Sequence, residues 1–289
     1  MKLIPFLLFV AISFSGMAQY KRIKKKVSYA EGTMFAYWGY NHSGYTNSNI
    51  KFQGPGYNFN LSGIKGTDKP SPFSANNYLN PLNVTTSQYN VRVGYYIRDH
   101  WALSFGYDHM KYVVQDMTTA FLSGQIDPET GDQWSGLYTG ESVTLSRDHF
   151  MYENSAGLDY LRFELTRTDL WVKIGGRDQF AVSTNAGISL GALLSSNNFR
   201  FSGDTDYKTI SMSGYGLSAH LGLRFEFFRH FFVQTGVSGG LQHQLKVHTR
   251  QLDSGSFAKQ AYGYGAFETA IGVLLYVRPK NGCDSCPVW

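Results

Sequence analysis

Long segments in which apolar and polar residues alternate are the feature that most limits how this chain can fold. In QYNVRVGYYI, which begins at Gln88, apolar or aromatic residues occupy every second position, and Asn90, Arg92 and Gly94 lie between them. Successive side chains of a β-strand point to opposite faces, so the segment predicts a strand with one apolar face. A short connection at residues 98–100 leads into the similar segment WALSFGYDHMKYVV, which predicts an antiparallel hairpin.

The same alternation recurs along most of the chain, in residues 33–41, 157–174, 180–194, 215–228, 231–247 and 262–277. Most of these segments exceed the roughly 5–6 residues usual in globular sheets and the about 9–11 residues with which a tilted strand crosses a bilayer. One face carries Leu, Val, Ile, Phe and Tyr without charge, and the other carries Gly, Ser, Asn and charged residues. This arrangement is typical of a transmembrane β-barrel, which is apolar outside and polar inside.

The N-terminus predicts export. MKLIPFLLFVAISFSGMAQ contains one lysine, an apolar run from Leu3 to Phe14, and small residues at Gly16 and Ala18. This pattern predicts a signal peptide over residues 1–18, because the run is shorter than the roughly 20 residues of a spanning helix. No later apolar stretch reaches that length, so a helical membrane protein is excluded. The composition, with 16% aromatic residues, 31 glycines and 16% charged residues, suits a barrel or an exported β-sandwich, and the long alternating segments favour the barrel.

The connections support a particular topology. Those at residues 98–100, 175–179 and 229–230 are short, whereas those at residues 115–155, 199–211 and 247–260 are long. Short and long connections alternate in barrels whose termini both lie in the periplasm. We therefore predict an all-β fold over residues 30–278: a transmembrane antiparallel up-and-down β-barrel of eight strands with long extracellular loops. NIKFQGPGYNFNL, residues 49–61, is interpreted as a loop hairpin or strand extension above the membrane. A ten-strand barrel would need another strand in residues 65–86, which are rich in Pro, Asn and Ser.

Several of these segments resemble a known family. WGYN, GYTNSNIKFQGPGYNFNLSGIKGTDKPSPFS, QYNVRVGYYI, SFGYDHMKYV and GLDYLRFEL are similar to sequences of a family of uncharacterised Gram-negative outer-membrane β-barrel proteins. The resemblance covers most of the chain after residue 18, although its signatures are short and the family usually carries a basic or bulky residue at the position of His42. It implies the outer membrane as location and a small eight-stranded barrel as fold, and it implies no activity.

Charged residues on the polar strand faces are the first candidates for a site. They are Arg92, Asp108, Arg162, Glu164, His220, Arg224, Glu226 and Glu268. The lumen of an eight-stranded barrel is only just wide enough for side chains to fill it. Because an unpaired charge is costly there, we expect the guanidinium and carboxylate groups to pair as a polar plug. The alternative interpretations are a proton or ion path, or carboxylates that act as acid and base.

Aromatic residues in the long connections are candidates for contacts outside the membrane. The set comprises Tyr57, Phe59, Phe73, Tyr78, Trp134 and Tyr138. Such rings either pack the loops into a cap or form an adhesive surface, and the sequence leaves both possibilities open.

Two other patterns resemble catalytic or metal sites, and we assign neither. His42 and Ser43 are adjacent, and adjacent side chains of a strand point to opposite faces, so they cannot act as nucleophile and base. Asp127, Glu129 and Asp132 lack the spacing of a calcium-binding EF-hand loop. We therefore predict no catalytic residues, no metal and no cofactor.

Both ends of the mature chain carry distinctive residues. YKRIKKK lies within residues 19–29, which we interpret as a basic periplasmic extension, and it supplies much of the net charge of +5. This run does not indicate nucleic-acid binding, because exported proteins seldom meet nucleic acid. Cys283 and Cys286 lie in a tail at residues 279–289, where a local disulfide is the expected state in an oxidising compartment. Intermolecular pairing and metal binding are the alternatives.

These observations lead to a functional expectation. We expect a non-enzymatic outer-membrane barrel with an envelope, surface-interaction or binding role. Its expected partners are outer-membrane lipid and lipopolysaccharide, the barrel-assembly machinery, and an extracellular or periplasmic protein of unknown identity. The alternatives are a lipid-modifying outer-membrane enzyme and a narrow channel or small-ligand transporter.

Overall fold

The computed structural model describes residues 29–71, 88–130, 132–175, 179–201 and 207–277. Several sequence predictions lie outside these residues: the signal peptide, most of the basic extension, Phe73, Tyr78, Cys283 and Cys286. The described residues include no helix that is long and apolar enough to cross a membrane.

Strands account for most of the described chain. In chain order they are β1 (Thr33–Tyr45), β2 (Ser48–Gly54), β3 (Tyr57–Ile64), β4 (Gly66–Thr67), β5 (Tyr89–Arg98), β6 (Trp101–Val114), β7 (Thr118–Ile126), β8 (Gly136–Leu145), β9 (Met151–Ile174), β10 (Phe180–Arg200), β11 (Tyr207–Phe227), β12 (Phe231–His248) and β13 (Phe257–Tyr276). Within the described residues one 3-10 turn, Pro128–Thr130, lies between β7 and β8.

Eight of these strands form a closed antiparallel ring. Their order is β1, β5, β6, β9, β10, β11, β12 and β13, and β1 pairs with β13 from Thr33↔Tyr276 to Tyr45↔Tyr264. The eight-strand prediction is therefore confirmed. Short connections and both ends of the described barrel share one rim, where the amide of Gly32 donates to the carbonyl of Tyr96 and the amide of Val277 donates to the carbonyl of Gly32, both at 3.0 Å.

The outer wall of the ring is apolar. Its exposed side chains include Val93, Leu103, Phe105, Phe163, Ile188, Leu190, Leu217, Leu221, Val237, Leu241, Phe267 and Ile271. These residues alternate with buried residues that face the lumen, as the sequence predicted. We call this surface the apolar band. A closed ring with such a band is suited to hydrocarbon, because no strand edge is left without hydrogen bonds.

The long connections are more ordered than expected. Residues 49–61 lie in the hairpin of β2 and β3, which confirms the interpretation as a loop hairpin, and β2 pairs with the upper part of β13. The connection at residues 115–155, which we predicted to be a loop, instead contains the hairpin of β7 and β8. β7 pairs with β3, so β2, β3, β7 and β8 make one continuous sheet, which we call the cap sheet. It begins at the rim opposite the termini.

The inner face of the cap sheet closes that end of the barrel. Phe52 is fully buried, and its ring centroid lies 5.3 Å from that of Phe150, 5.4 Å from that of Tyr152 and 5.5 Å from that of Phe199. Because these partners belong to or adjoin β9 and β10, the cap sheet packs against the opposite wall. Ile50, Phe59, Leu61, Leu122 and Ile126 join the same core.

A second apolar cluster fills the barrel near the short turns. It consists of Tyr29, Phe35, Tyr37, Tyr96, Ala102, Phe232, Ala270 and Leu274. The interior thus has three layers: an apolar layer near the short turns, a charged layer in the middle, and the core under the cap sheet.

Candidate functional site in the barrel lumen

The charged layer begins with a bidentate ion pair between neighbouring strands. Nη1 and Nη2 of Arg92 on β5 donate to Oδ1 and Oδ2 of Asp108 on β6, at 2.5 and 3.0 Å. Both side chains are buried. Gly106, which pairs with Arg92 in the sheet, provides the space, since a Cβ there would lie 2.5 Å from Cδ of Arg92. This geometry is the strong form of a carboxylate–guanidinium contact.

Arg162 on β9 joins the same carboxylate from the other side. Its Nε lies 3.0 Å from Oδ2 of Asp108, so Asp108 contacts two guanidinium groups. Nη1 of Arg162 donates to Oγ of Ser218 at 3.0 Å and to Oγ of Ser189 at 3.3 Å. Arg162 therefore connects β6, β9, β10 and β11 across the lumen.

Two further carboxylates and a histidine complete the layer. Oε2 of Glu164 lies 3.6 Å from Nε of Arg92, 3.6 Å from Nη2 of Arg162 and 3.5 Å from Nδ1 of His220. Glu268 on β13 lies 3.6 Å from Nη2 of Arg162. Two guanidinium groups thus meet three carboxyl groups, which gives a net charge of −1 if all three are ionised and His220 is neutral.

Hydrogen bonds hold Glu268 in place at the edge of this layer. Oε1 of Glu268 accepts from Oγ of Ser238 at 2.6 Å, and Oε2 accepts from Nδ2 of Asn90 at 3.0 Å. Oδ1 of Asn90 is buried without a hydrogen-bond partner. A narrow cavity beside these groups is also lined by Glu164, His220 and Gln234. The cavity and the Asn90 oxygen that lacks a hydrogen-bond partner form a small polar compartment within the filled lumen.

Arg224 and Glu226 lie apart from the charged layer, although the sequence grouped them with it. Arg224 donates to the neutral oxygens of Gln234, at 3.0 and 3.1 Å, and Tyr96, at 3.1 Å. Its guanidinium carbon lies 4.2 Å from the ring centroid of Phe232, within range of a cation–π contact. Glu226 accepts from Oγ of Ser183 at 3.3 Å. Strand alternation predicted the lumen face correctly, but it could not give the depth at which each side chain ends.

The aromatic candidates in the connections belong mainly to the cap core. Tyr57, Phe59 and Trp134 are 5%, 1% and 8% exposed, which makes their side chains unavailable for contact with a partner. Of the two possibilities that the sequence left open for these contact candidates, their burial favours the cap over the adhesive surface, because the cap sheet folds inward over the barrel mouth. Tyr138 is partly buried against the same core. The aromatic and aliphatic side chains that the sheet does expose are Phe121, at 53%, and Leu137, at 76%. Alternation in TTAFLSGQI could have indicated Phe121, had a strand been expected there.

Histidines outside the lumen make contacts that the sequence did not reveal. His42 is exposed and Ser43 is buried, on opposite faces of β1. Nδ1 of His109 on β6 lies 2.6 Å from Oδ1 of Asp159, its direct partner on β9, and both residues are buried. Oδ2 of Asp132 lies 2.8 Å from Nε2 of His149, a contact that connects the β7–β8 connection to the segment before β9.

The described residues contain no group of three His, Cys, Asp or Glu side chains arranged to hold a metal ion.

The closed eight-stranded ring, the apolar band and the filled lumen define a small outer-membrane β-barrel protein, and they place the chain in the outer membrane. No protein-family model and no curated protein matches the sequence.

Solved structures with a similar arrangement are small barrels. The outer membrane protein OprG from Pseudomonas aeruginosa has 10% sequence identity and a TM-score of 0.42, over 86% of this chain and 98% of its own. The N-terminal β-barrel domain of Pseudomonas aeruginosa OprF has 9% identity and a TM-score of 0.34, over 85% and 98%. Ail, the attachment invasion locus protein of Yersinia pestis, has 10% identity and a TM-score of 0.32, over 85% and 99%. Since each of these TM-scores is below 0.5, the assignment to outer-membrane β-barrel proteins rests on the geometry of this chain.

Proposed function

We propose that this protein is a closed, non-enzymatic barrel that acts through its extracellular surface. The observation that carries the proposal is the filling of the lumen at three depths. Phe232 lies in the lower apolar layer, Arg162 in the charged layer and Phe52 in the cap core, and each is at most 2% exposed. A solute would have to displace packed side chains at every depth, which favours a role outside the barrel over transport.

The outer face of the cap sheet is the surface we assign to this role. Phe121 and Leu137 project from the β7–β8 hairpin, and the sheet pairs Leu137 with Gln125 and Gln125 with Asn58. Exposed apolar side chains with amide neighbours are typical of protein contact surfaces. The partner we propose is an extracellular macromolecule.

Planar bilayer recordings test the closed lumen. The purified full-length mature protein should show no steady conductance. A variant that carries Phe232→Ala, Arg162→Ser and Phe52→Ala, one truncation in each layer, should conduct, provided that it still shows the heat-dependent gel mobility of a folded barrel. Phe163→Ala, on the apolar band, serves as the matched control and should remain silent. Steady conductance of the unmodified protein would refute the proposal.

Photo-crosslinking on intact cells tests the surface. A photoreactive amino acid at Leu137, which is 76% exposed, should form adducts with an external partner, whereas one at Leu122, which is 0% exposed on the same hairpin, should not. Equal adduct formation at both positions, or no adduct at Leu137, contradicts the assignment.

A narrow channel is the second candidate function. The polar compartment beside His220, Glu164 and Glu268 is the observation in its favour, because its acidic and imidazole groups could pass protons. The same recordings distinguish the two functions: a channel would give a proton current that His220→Phe abolishes, whereas a closed barrel gives no current to abolish.

A further inference from the structure

Three lysines lie close together on the outer wall, just above the apolar band. Lys51 on β2 pairs in register with Lys259 on β13, so their side chains project from the same face at adjacent positions. Lys246 on β12 reaches the same place. The Nζ atoms of Lys246 and Lys259 lie 5.5 and 4.9 Å from the ring centroid of Phe257. We call Lys51, Lys246 and Lys259 the lysine cluster.

The positive charge of the lysine cluster is not neutralised within the part of the chain that the structure describes. No carboxylate there lies within ion-pair distance of any of the three ammonium groups. Asp253, on the connection between β12 and β13, instead accepts hydrogen bonds from Ser256 and the amide of Gly255. Like charges directly opposite each other destabilise a sheet. Among the described residues, the cluster therefore presents three positive charges that an anion can neutralise.

The surroundings of the lysine cluster indicate what that anion is attached to. Leu245 adjoins Lys246 on β12, Leu241 lies four residues nearer the middle of the apolar band, and both side chains are exposed. Between these two leucines, the hydroxyl of Tyr215 lies 3.1 Å from Nδ1 of His243, its partner in the sheet, and a polar aromatic group of this kind is typical of the bilayer interface. The cluster thus lies where the hydrocarbon ends and the headgroups begin. Phosphates of membrane lipids occupy that depth.

We propose that the lysine cluster binds the phosphate groups of a phosphorylated glycolipid in the outer leaflet, whose acyl chains lie along Leu241 and Leu245. Ammonium groups are compact, mobile point charges, and three of them suit a phosphate monoester without a fixed geometry. Each lysine near an anionic surface strengthens binding about fivefold, so the three together contribute roughly 100-fold. This binding site is separate from the proposed contact surface around Leu137.

The test uses the full-length mature protein in lipid nanodiscs. One set contains lipid A with its phosphates, and a second contains the same lipid A after enzymatic dephosphorylation. Native mass spectrometry counts the bound glycolipid as its concentration is raised. The unmodified protein should retain the phosphorylated form roughly 100-fold more tightly than a variant with Lys51→Gln, Lys246→Gln and Lys259→Gln. It should also prefer the phosphorylated form to the dephosphorylated one.

Two further variants separate local binding from overall charge. Lys65→Gln, Arg98→Gln and Lys173→Gln remove the same three charges elsewhere and should leave retention unchanged. Replacing the lysine cluster by three arginines preserves its charge and should also preserve retention.

Equal retention of the two lipid forms, or wild-type retention by the glutamine variant, would overturn the proposal. Displacement of the lipid by inorganic phosphate alone at stoichiometric concentration would also overturn it, because that result would identify a free-phosphate site. If the glutamine variant does not fold, Lys51→Gln alone, on the exposed face of β2, must still weaken retention about fivefold.

Discussion

Truncation of Phe52 tests whether the cap sheet is a packed structural layer or a set of loose loops. The Phe52 ring is 0% exposed and lies within 5.5 Å of the rings of Phe59, Phe150, Tyr152 and Phe199. Replacing such a buried ring by Ala leaves a cavity that the surrounding walls cannot fill, because they belong to different strands. Buried Phe→Ala changes cost about 3–5 kcal/mol. We expect Phe52→Ala to reduce the free energy of opening of the cap sheet by that amount.

Hydrogen–deuterium exchange in detergent micelles measures this effect. Since about 1.4 kcal/mol changes an equilibrium tenfold, amides of β2 and β3 should exchange roughly 150- to 5,000-fold faster, up to the limit at which the cap is fully open. Amides of β11 within the apolar band should keep their rates, because they do not contact Phe52. The matched control is Phe121→Ala, which removes the same atoms from the same sheet at a side chain that is 53% exposed. Its effect should be below tenfold.

If Phe52→Ala and Phe121→Ala accelerate exchange equally, the cap core does not stabilise the cap sheet. If Phe52→Ala accelerates exchange equally in β2 and β11, the cap sheet is not a separate cooperative unit.

Three other predictions concern acid sensitivity, wall closure and orientation. Burial alone would raise the pKa of Glu153, but the hydrogen bond from Ser155 and the charges of Lys69 and Arg147 lower it below its ordinary value. Because the pKa is depressed in the folded state, ionised Glu153 stabilises the fold above about pH 4.3, and this contribution is lost as the pH falls below that value. Proteolysis of the extracellular segments should therefore increase in acid, and Glu153→Gln should make it independent of pH in that range. Gly191→Val should prevent barrel formation, because a Cβ at Gly191 would lie 2.0 Å from the carbonyl oxygen of Leu161, and the protein should lose its heat-dependent gel mobility. The control Gly44→Val should fold, because a Cβ at Gly44 meets nothing within 4 Å. A membrane-impermeant thiol reagent on intact cells should label Gln125→Cys and not Arg98→Cys, and the reverse result would invert the topology.

The alternating strands were predictable because their pattern is local. Each strand must bury one face and turn the other towards lipid, so residues such as Val91 and Arg92 alternate whatever the rest of the chain does. The number of strands followed from the alternation of short and long connections. The lumen face of Arg92, Arg162, Glu164 and Glu268 followed from the same rule.

The grouping of side chains depended on the tertiary structure. Arg162 reaches Asp108 across β6 and β9, whereas Arg224 ends among Phe232, Tyr96 and Gln234, because strand tilt and register set the depth of each side chain along the barrel axis. Neither quantity is encoded in local alternation.

The cap sheet shows the same limit most clearly. The sequence by itself determined that residues 49–61 alternate and turn at Gly54 to Gly56, which is enough for a hairpin. It could not show that Phe52 and Phe59 would be buried, because alternation defines two faces of a strand and does not say what covers each one. Only the closed ring, which brings β9 and β10 opposite β2, provides the apolar wall that buries them. The tertiary structure therefore decided that these rings form a core and not an adhesive surface, and it left the outward side chains of the cap sheet and the lysine cluster exposed.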